Sequence, residues 1–295
     1  MSKVFLVTGS SRGLGRQIAE RVLAAGHSLV ATARRPEQLA DLVERHGVRV
    51  RAVALDVTDP RAARVAVDTA VTAFGRLDVV VNNAGYANSG SVEDTPAEDF
   101  RAQVDANLFG VVNVTTAALP VLREQGAGHV IQVSSVGGRV STPGLSAYQA
   151  AKFAVGGFSE VLAKEVAPLG VKVTVLEPGG MRTDWAGSSM TVHPVSPAYE
   201  QTVGAVNALR TTLMERAASD PAKVADVVLR VADLDEPPVR LLLGSDAIRV
   251  AAQAERTRAE SDAKWRELSV STDYASTDYA DLTDDNTDPL ATLRG

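Results

Sequence analysis

Short β-branched or aliphatic runs alternate with longer stretches of helical periodicity along most of this 295-residue chain, and that alternation limits the fold more than anything else in it. The runs are Val4–Val7, Ser28–Ala33, Arg51–Leu55, Val79–Val81, His129–Val133, Lys172–Leu176 and Val239–Leu243. Several are apolar throughout, as parallel strands covered on both faces must be. Helical patterns lie between them at Arg16–Ala25, Pro36–Arg45, Ala62–Phe74, Pro96–Val121 and Tyr148–Val166. Alternation on this scale makes βαβ units, and right-handed crossovers then place helices on both faces. The expected fold class is α/β, a doubly wound parallel sheet of about seven strands. From Met181 to Ser219 the alternation breaks without a clear strand, which is the expectation for a lid over a site. A helical stretch from Asp246 to about Glu267 precedes a tail carrying the repeat Ser-Thr-Asp-Tyr at 271–274 and 276–279. The expected organisation is one domain over 1–245, with its lid at about 181–219. A helical extension over 246–270 and a tail over 271–295 follow.

Composition removes other classes. With no Cys there is no disulfide framework, thiolate zinc site, iron–sulfur cluster or cysteine nucleophile. His27, His46, His129 and His193 are scattered, so no metal site is expected. The net charge is −6, and six Asp against one Arg between Asp273 and Gly295 carry −5 of it. The near-neutral body lacks the basic footprint of a nucleic-acid binder, and the tail reads as a solvated end. Thr8-Gly9 cuts the first apolar run short of a signal-peptide core, and no stretch reaches the ~18 apolar residues of a membrane helix. A cytoplasmic protein with no membrane partner is expected.

Two segments carry chemistry. Thr8-Gly9-Ser10-Ser11-Arg12-Gly13-Leu14-Gly15 lies where the first strand meets the first helix. Glycines there allow a tight turn and close backbone approach, and the helix N–H groups can receive the diphosphate of a dinucleotide. Tyr148-Gln149-Ala150-Ala151-Lys152 opens a helix and puts a phenol and an ammonium on one face. A neighbouring cation favours phenolate, so Lys152 is expected to bring Tyr148 down from its ordinary pKa of about 10. Tyr148 could then exchange a proton with a substrate oxygen.

Further motifs keep order with these. Asn82-Asn83-Ala84-Gly85 follows the fourth strand, then come Asn107 and Ser134-Ser135. Tyr148 stands thirteen residues after Ser135, Pro178-Gly179 follows the sixth strand, and Thr183 comes four residues after Gly179. In this order and spacing, residues 3–245 resemble the short-chain dehydrogenase/reductase family, a Rossmann-type fold, and most closely its steroid- and retinol-dehydrogenase-like branch. The resemblance implies four roles. Tyr148 is the general acid in reduction and the base in oxidation, Lys152 holds the nicotinamide ribose and lowers the tyrosine pKa, Ser135 bonds the substrate oxygen, and Asn107 holds a water in the proton relay. Ser134 is the rival of Ser135, and the thirteen-residue interval selects Ser135.

The same resemblance implies a cofactor site of Gly9, Ser11, Arg12, Gly13, Leu14, Gly15, Asp56, Val57, Asn83, Ala84, Gly85, Tyr148, Lys152, Pro178, Gly179, Met181 and Thr183. An NAD site normally ends the second strand with a carboxylate. Here the strand runs Ala31-Thr32-Ala33-Arg34-Arg35. Arg34 and Arg12 suit a 2′-phosphate, because guanidinium groups stay charged and bind phosphate bidentately. NADP(H) is the expected cofactor. By family analogy Tyr86, Val136, Leu145, Gly180, Trp185, Met190 and Tyr199 line the substrate, an apolar and adaptable set, while Arg139 and Arg182 are charged exceptions that can face solvent. A small hydrophobic ketone, aldehyde or alcohol is expected, handled by a homodimer or homotetramer. The alternatives are a ketoreductase acting on carrier-tethered β-ketoacyl chains and a non-catalytic dinucleotide sensor.

Overall fold

The computed structural model describes residues 2–182 and 190–274. The chain divides into two units, 1–251 and 252–295, and the sheet lies within the first. Its seven strands are β1 (Val4–Val7), β2 (Ser28–Ala33), β3 (Val50–Ala54), β4 (Val79–Asn82), β5 (Gly128–Val133), β6 (Val171–Pro178) and β7 (Arg240–Leu243). All pairings are parallel, in the spatial order β3-β2-β1-β4-β5-β6-β7. Leu6 of β1 pairs with Val30 on one side and with Val80 on the other. The chain direction around the sheet therefore reverses between β1 and β4. In such sheets the crevice beyond the carboxyl ends of the strands at that reversal is the ligand site.

Strand alternation separates two cores. Phe5, Val7, Leu29 and Ala31 point to one face and meet Ile18, Val22 and Leu23 of α1 (Gly13–Ala24) and Leu42 of α2 (Ala40–His46). Val4, Leu6, Val30 and Val80 point the other way and meet Ala63, Ala66, Val67 and Ala70 of α3 (Pro60–Phe74). Each such Val, Leu, Ile or Phe side chain, fully withdrawn from water, contributes ~1.5–3 kcal/mol.

The next helix, α4 (Ala97–Val104), does not stop where its pattern wavers. A π-helical turn at Asp105–Phe109 carries it into α5 (Gly110–Gln125), giving 29 residues without a break. This helix is long and apolar enough to cross a membrane, but Val114, Ala117, Ala118 and Leu122 are buried in the second core. Next come α6 (Ser146–Val166), α7 (Ala205–Glu215) and α8 (Pro221–Asp233). Asp220 caps α8 by accepting the Ala222 N–H at 2.9 Å, Pro221 occupies its first position, and Val224, Val228 and Val231 complete the first core. Then come α9 (Ser245–Lys264) and α10 (Arg266–Val270).

The strands fall within a residue or two of the expected ones at most ends. The described part of the segment 181–219, expected to form a lid, carries α7 and two isolated bridges, Ser89 with Val192 and Met181 with Ser219. Thr183, Trp185 and the second Ser-Thr-Asp-Tyr copy lie outside the described residues.

Candidate active site

Thr8 ends β1 and ties the glycine turn to the loop after β4. Its Oγ1 accepts the N–H groups of Asn83 and Ala84, each at 2.9 Å, while Asn83 Nδ2 donates to the Thr8 carbonyl at 2.9 Å. Gly9 and Gly13 have φ of +68° and +55°, a region that favours glycine. Gly15 is glycine for a different reason: a Cβ there would stand 2.2 Å from the Gly9 oxygen and 2.4 Å from Asn83 Nδ2. Leu14 points into the core, so only its backbone faces the turn. The N-terminus of α1 has no side-chain cap and no acidic residue in its first turn. Its free N–H groups and dipole therefore form an anion site, and a Cβ on Gly13 would meet nothing within 4 Å. Ser11 lies half-buried in the same turn. Arg12 and Arg34 are exposed, and among the described residues neither forms an ion pair. Beyond β3, Asp56 accepts the N–H and O–H of Thr58 at 3.0 and 2.7 Å. Val57 is buried, and its carbonyl accepts from Asn113 Nδ2 at 3.0 Å. Together these groups fit a dinucleotide.

Ser135 follows β5 and caps the short turn Val136–Gly138, its Oγ accepting the Gly137 N–H at 3.0 Å. Its hydroxyl also hydrogen-bonds the Tyr148 phenol. Ser134, the rival, turns away and reaches the Lys152 carbonyl at 3.4 Å. Tyr148 and Lys152 share the inner face of α6 and are both buried. Lys152 Nζ donates to the Val133 carbonyl at 2.9 Å and lies 5.6 Å from the centre of the Tyr148 ring.

The expected lowering of Tyr148 by Lys152 is not what the structure holds. Burial pushes the phenol up to about 12, and the Ser135 hydrogen bond only partly opposes this. The same burial brings Lys152 down to about 8. Withdrawal from water is the leading cause of both shifts.

The π turn rotates Asn107 inward, where it is wholly buried. Its Nδ2 donates to the Tyr86 carbonyl at 2.7 Å and to the Gln103 carbonyl at 2.8 Å. Among the described residues its Oδ1 has no partner. A Cβ on Gly85 would stand 2.5 Å from that oxygen and 3.8 Å from Lys152 Nζ. An unpartnered buried acceptor beside the Lys152 ammonium is a place for a water or a ligand hydroxyl. Pi turns inside helices often mark such sites.

The loop after β6 carries the rest. Gly179 donates to the Leu243 carbonyl at 2.9 Å, and Gly180 donates to Asp246 Oδ2 at 2.9 Å. Pro178 is buried at the strand end, and Met181 packs half-buried on the first core. Arg139 is half-buried and pairs with Glu177 at 2.7 Å. Tyr86, Val136 and Leu145 are half-buried around the site, and burial and the nearby Asp99 raise the Tyr86 phenol. Met190 accepts from Arg210 Nη1 at 3.1 Å. Tyr199 Oη donates to Glu93 at 2.8 Å. Beside the start of α6 is a cavity of about 680 Å³ whose walls include Val92, Pro143, Phe153, Tyr199 and Val203. Tyr199 is the one expected substrate residue, among those described, that lines it.

The sequence reasoning did not single out Glu177 or Asp246. A lone carboxylate inside the apolar strand Val171–Pro178 was the available signal for the first, because a charge there must be paired. Asp246 carried no local signal beyond its place after Leu243-Gly244.

The chain and its fold are similar to known proteins. The family described as short chain dehydrogenase matches residues 3–192. An oxidoreductase of Botryotinia fuckeliana is 57% identical over 271 residues, 92% of this chain and 99% of its own. The crystal structure of a short-chain dehydrogenase from Streptomyces avermitilis superposes with a TM-score of 0.85 at 39% identity, over 93% of this chain and 99% of that one. An alcohol dehydrogenase from Thermococcus sibiricus, solved with 5-hydroxy-NADP, matches at 27% identity with a TM-score of 0.68, over 83% of this chain and 97% of that one.

Proposed function

We infer the reaction from one premise: this chain belongs to the short-chain dehydrogenase/reductase family and is an oxidoreductase. The proposed activity is the NADP(H)-dependent interconversion of a hydrophobic ketone or aldehyde and its alcohol. The observation that carries it is the buried Ser135–Tyr148 hydrogen bond, with Lys152 and the unpartnered Asn107 Oδ1 alongside.

When bound, the nicotinamide supplies or takes the hydride. The protein's part is position and proton traffic. Gly9, Gly13, Gly15 and the uncapped start of α1 would hold the diphosphate, and Asp56, Val57, Asn83, Ala84 and Gly85 would line the adenosine side. Tyr148 holds its proton firmly at neutral pH, so it enters reduction as the acid and gives that proton to the carbonyl oxygen. Ser135 hydrogen-bonds the same oxygen as negative charge grows there. Lys152 is charged at neutral pH but close to release, which suits it to pass a replacement proton towards the phenol. Asn107 Oδ1 is placed to hold a water that refills Lys152.

Arg12 and Arg34 support NADP(H) over NAD(H). Among the described residues both are unpaired, and no carboxylate ends β2 to accept from a ribose hydroxyl. The half-buried Tyr86, Val136 and Leu145 around the site support a hydrophobic substrate. Phe109, Phe153 and Val161 are exposed on the α4–α5 helix and on α6, which supports a homodimer or homotetramer built on those helices.

The test is a panel of aliphatic and aromatic ketones, aldehydes and alcohols, with NADPH, NADH and their oxidised forms, followed by nicotinamide absorbance. Reduction of apolar carbonyls with a higher kcat/KM for NADPH is expected. Preference for NADH, or for charged substrates, contradicts the proposal.

A further inference from the structure

Glu177 is the most deeply buried carboxylate near the site, with 0% exposure at the end of β6. Two guanidinium groups hold it. Arg139 directs Nε and Nη2 at Oε2, both at 2.7 Å. Arg240, at the start of β7, directs Nε at Oε1 at 2.9 Å and adds a shorter contact from Nη2. Arg240 also reaches Glu160 of α6 at 2.8 Å and the Gly138 carbonyl at 3.4 Å.

Among the described residues the cluster contains two cations and two carboxylates, Arg139 and Arg240 with Glu177 and Glu160. Its cost is desolvation, since taking an isolated carboxylate out of water costs several kcal/mol. A well-packed apolar set would hold two strands and a helix together equally well. Paired forks, unlike apolar contacts, fix direction as well as distance.

The direction fixed here concerns Ser135. Arg139 closes the turn that Ser135 opens: its N–H donates to the Val136 carbonyl at 2.8 Å, and the Gly138 N–H donates to the Ser135 carbonyl at 2.9 Å. That turn presses on α6, where a Cβ on Gly138 would lie 2.8 Å from the Lys152 oxygen. Arg240 crosses the same helix at Gly156, where a Cβ would lie 3.0 Å from its Nη2. Tyr148, Lys152 and Gly156 are four residues apart and share one face of α6. Glu177 itself directly precedes the Pro178-Gly179 loop.

We propose that Glu177, through Arg139 and Arg240, is a positioning residue that locks the Ser135 turn onto the Tyr148 face of α6. One buried carboxylate thereby sets the Ser135–Tyr148 hydrogen bond and anchors the loop that follows β6. The proposal rests on Ser135 and Tyr148 being the reacting pair.

Arg139→Lys keeps the charge and loses the fork, so it spares the fold better than Glu177→Gln, which leaves two buried cations facing a neutral amide. The full chain and both variants are compared with NADPH and 4-nitrobenzaldehyde as the probe carbonyl, and by amide hydrogen exchange over residues 135–139. The expected result for Arg139→Lys is a kcat lower by about tenfold, with KM and NADPH Kd within about twofold and an unchanged melting curve. Exchange at 135–139 should speed up while β1 and α1 keep their protection. Glu177→Gln should show the same split more strongly where it folds. Native kcat together with native exchange in Arg139→Lys overturns the proposal. Tyr148→Phe run alongside separates the two ideas: full turnover by that variant defeats the assignment of Tyr148, while the exchange result still decides the positioning claim.

Discussion

Lys152 Nζ lies 5.6 Å from the centre of the Tyr148 ring, and both side chains are buried on one face of α6. Burial shifts each towards its neutral form, with the phenol pushed up to about 12 and the ammonium brought down to about 8. The unfolded chain therefore binds more protons than the folded one between pH 8 and 10.5, and stability attributable to Lys152 rises across that window. At pH 7 the charged side chain is a net cost. Lys152→Met should abolish turnover and still raise stability at pH 7, by ~1–2 kcal/mol once the lost hydrogen bond to Val133 is offset. The gain should shrink as pH rises from 8 towards 10.5. Urea midpoints at pH 7 and 10 check this, and a variant less stable at both would contradict it.

Gly15 and Gly13 should respond differently to the same methyl group. A Cβ on Gly15 meets the Gly9 oxygen at 2.2 Å, whereas one on Gly13 meets nothing within 4 Å. Gly15→Ala should cost ~1–3 kcal/mol through overpacking and weaken NADPH binding by moving Asn83. Gly13→Ala should cost only the backbone strain of a positive φ, ~1 kcal/mol. Denaturant midpoints and NADPH titrations on both variants give the comparison.

Arg34→Asp should lower NADPH affinity by roughly tenfold to a hundredfold and leave NADH affinity nearly unchanged, since a bidentate phosphate contact is worth ~1.5–3 kcal/mol. The NADPH effect should fade at high salt. Equal losses for both cofactors would place the 2′-phosphate elsewhere.

Asp94 anchors the described part of the segment expected to form a lid. Its carboxylate accepts the Ser196 N–H at 3.1 Å, the Ser91 hydroxyl at 2.7 Å and the Ser196 hydroxyl at a shorter distance. These bonds, Ser196 first, hold its pKa below 3.8. A depressed carboxyl pKa means that the anchor's contribution is complete above pH 3.8 and is lost as pH falls through the lowered value. Asp94→Ala should raise KM for the carbonyl more than it lowers kcat. A change in kcat alone would mean that the lid acts on the chemical step.

The sheet was legible because β1, β4 and β5 are apolar runs bounded by glycine or polar turns, a pattern that depends only on neighbours in sequence. Ser135, Tyr148 and Lys152 were legible through spacing. Other features depend on partners distant in the chain. The span Pro96–Val121 reads as one helix, and nothing in it announces the π turn at Asp105–Phe109 that carries Asn107 inward. The direction of the Tyr148 shift was missed because an i, i+4 pair reveals the cation but not how completely both groups leave water. Glu177 needed Arg139 and Arg240, 38 and 63 residues away, before its burial made sense. Arg139 alone looked like a solvent-facing charge.

The central claim is that Tyr148 moves the proton while the cofactor moves the hydride. Its most direct test is Tyr148→Phe, with kcat for a carbonyl that the unmodified chain reduces measured beside NADPH affinity on the same preparation. A loss of turnover of about a hundredfold to ten-thousandfold, with NADPH affinity and melting temperature retained, is the predicted result. Turnover within about twofold of the unmodified chain would contradict it.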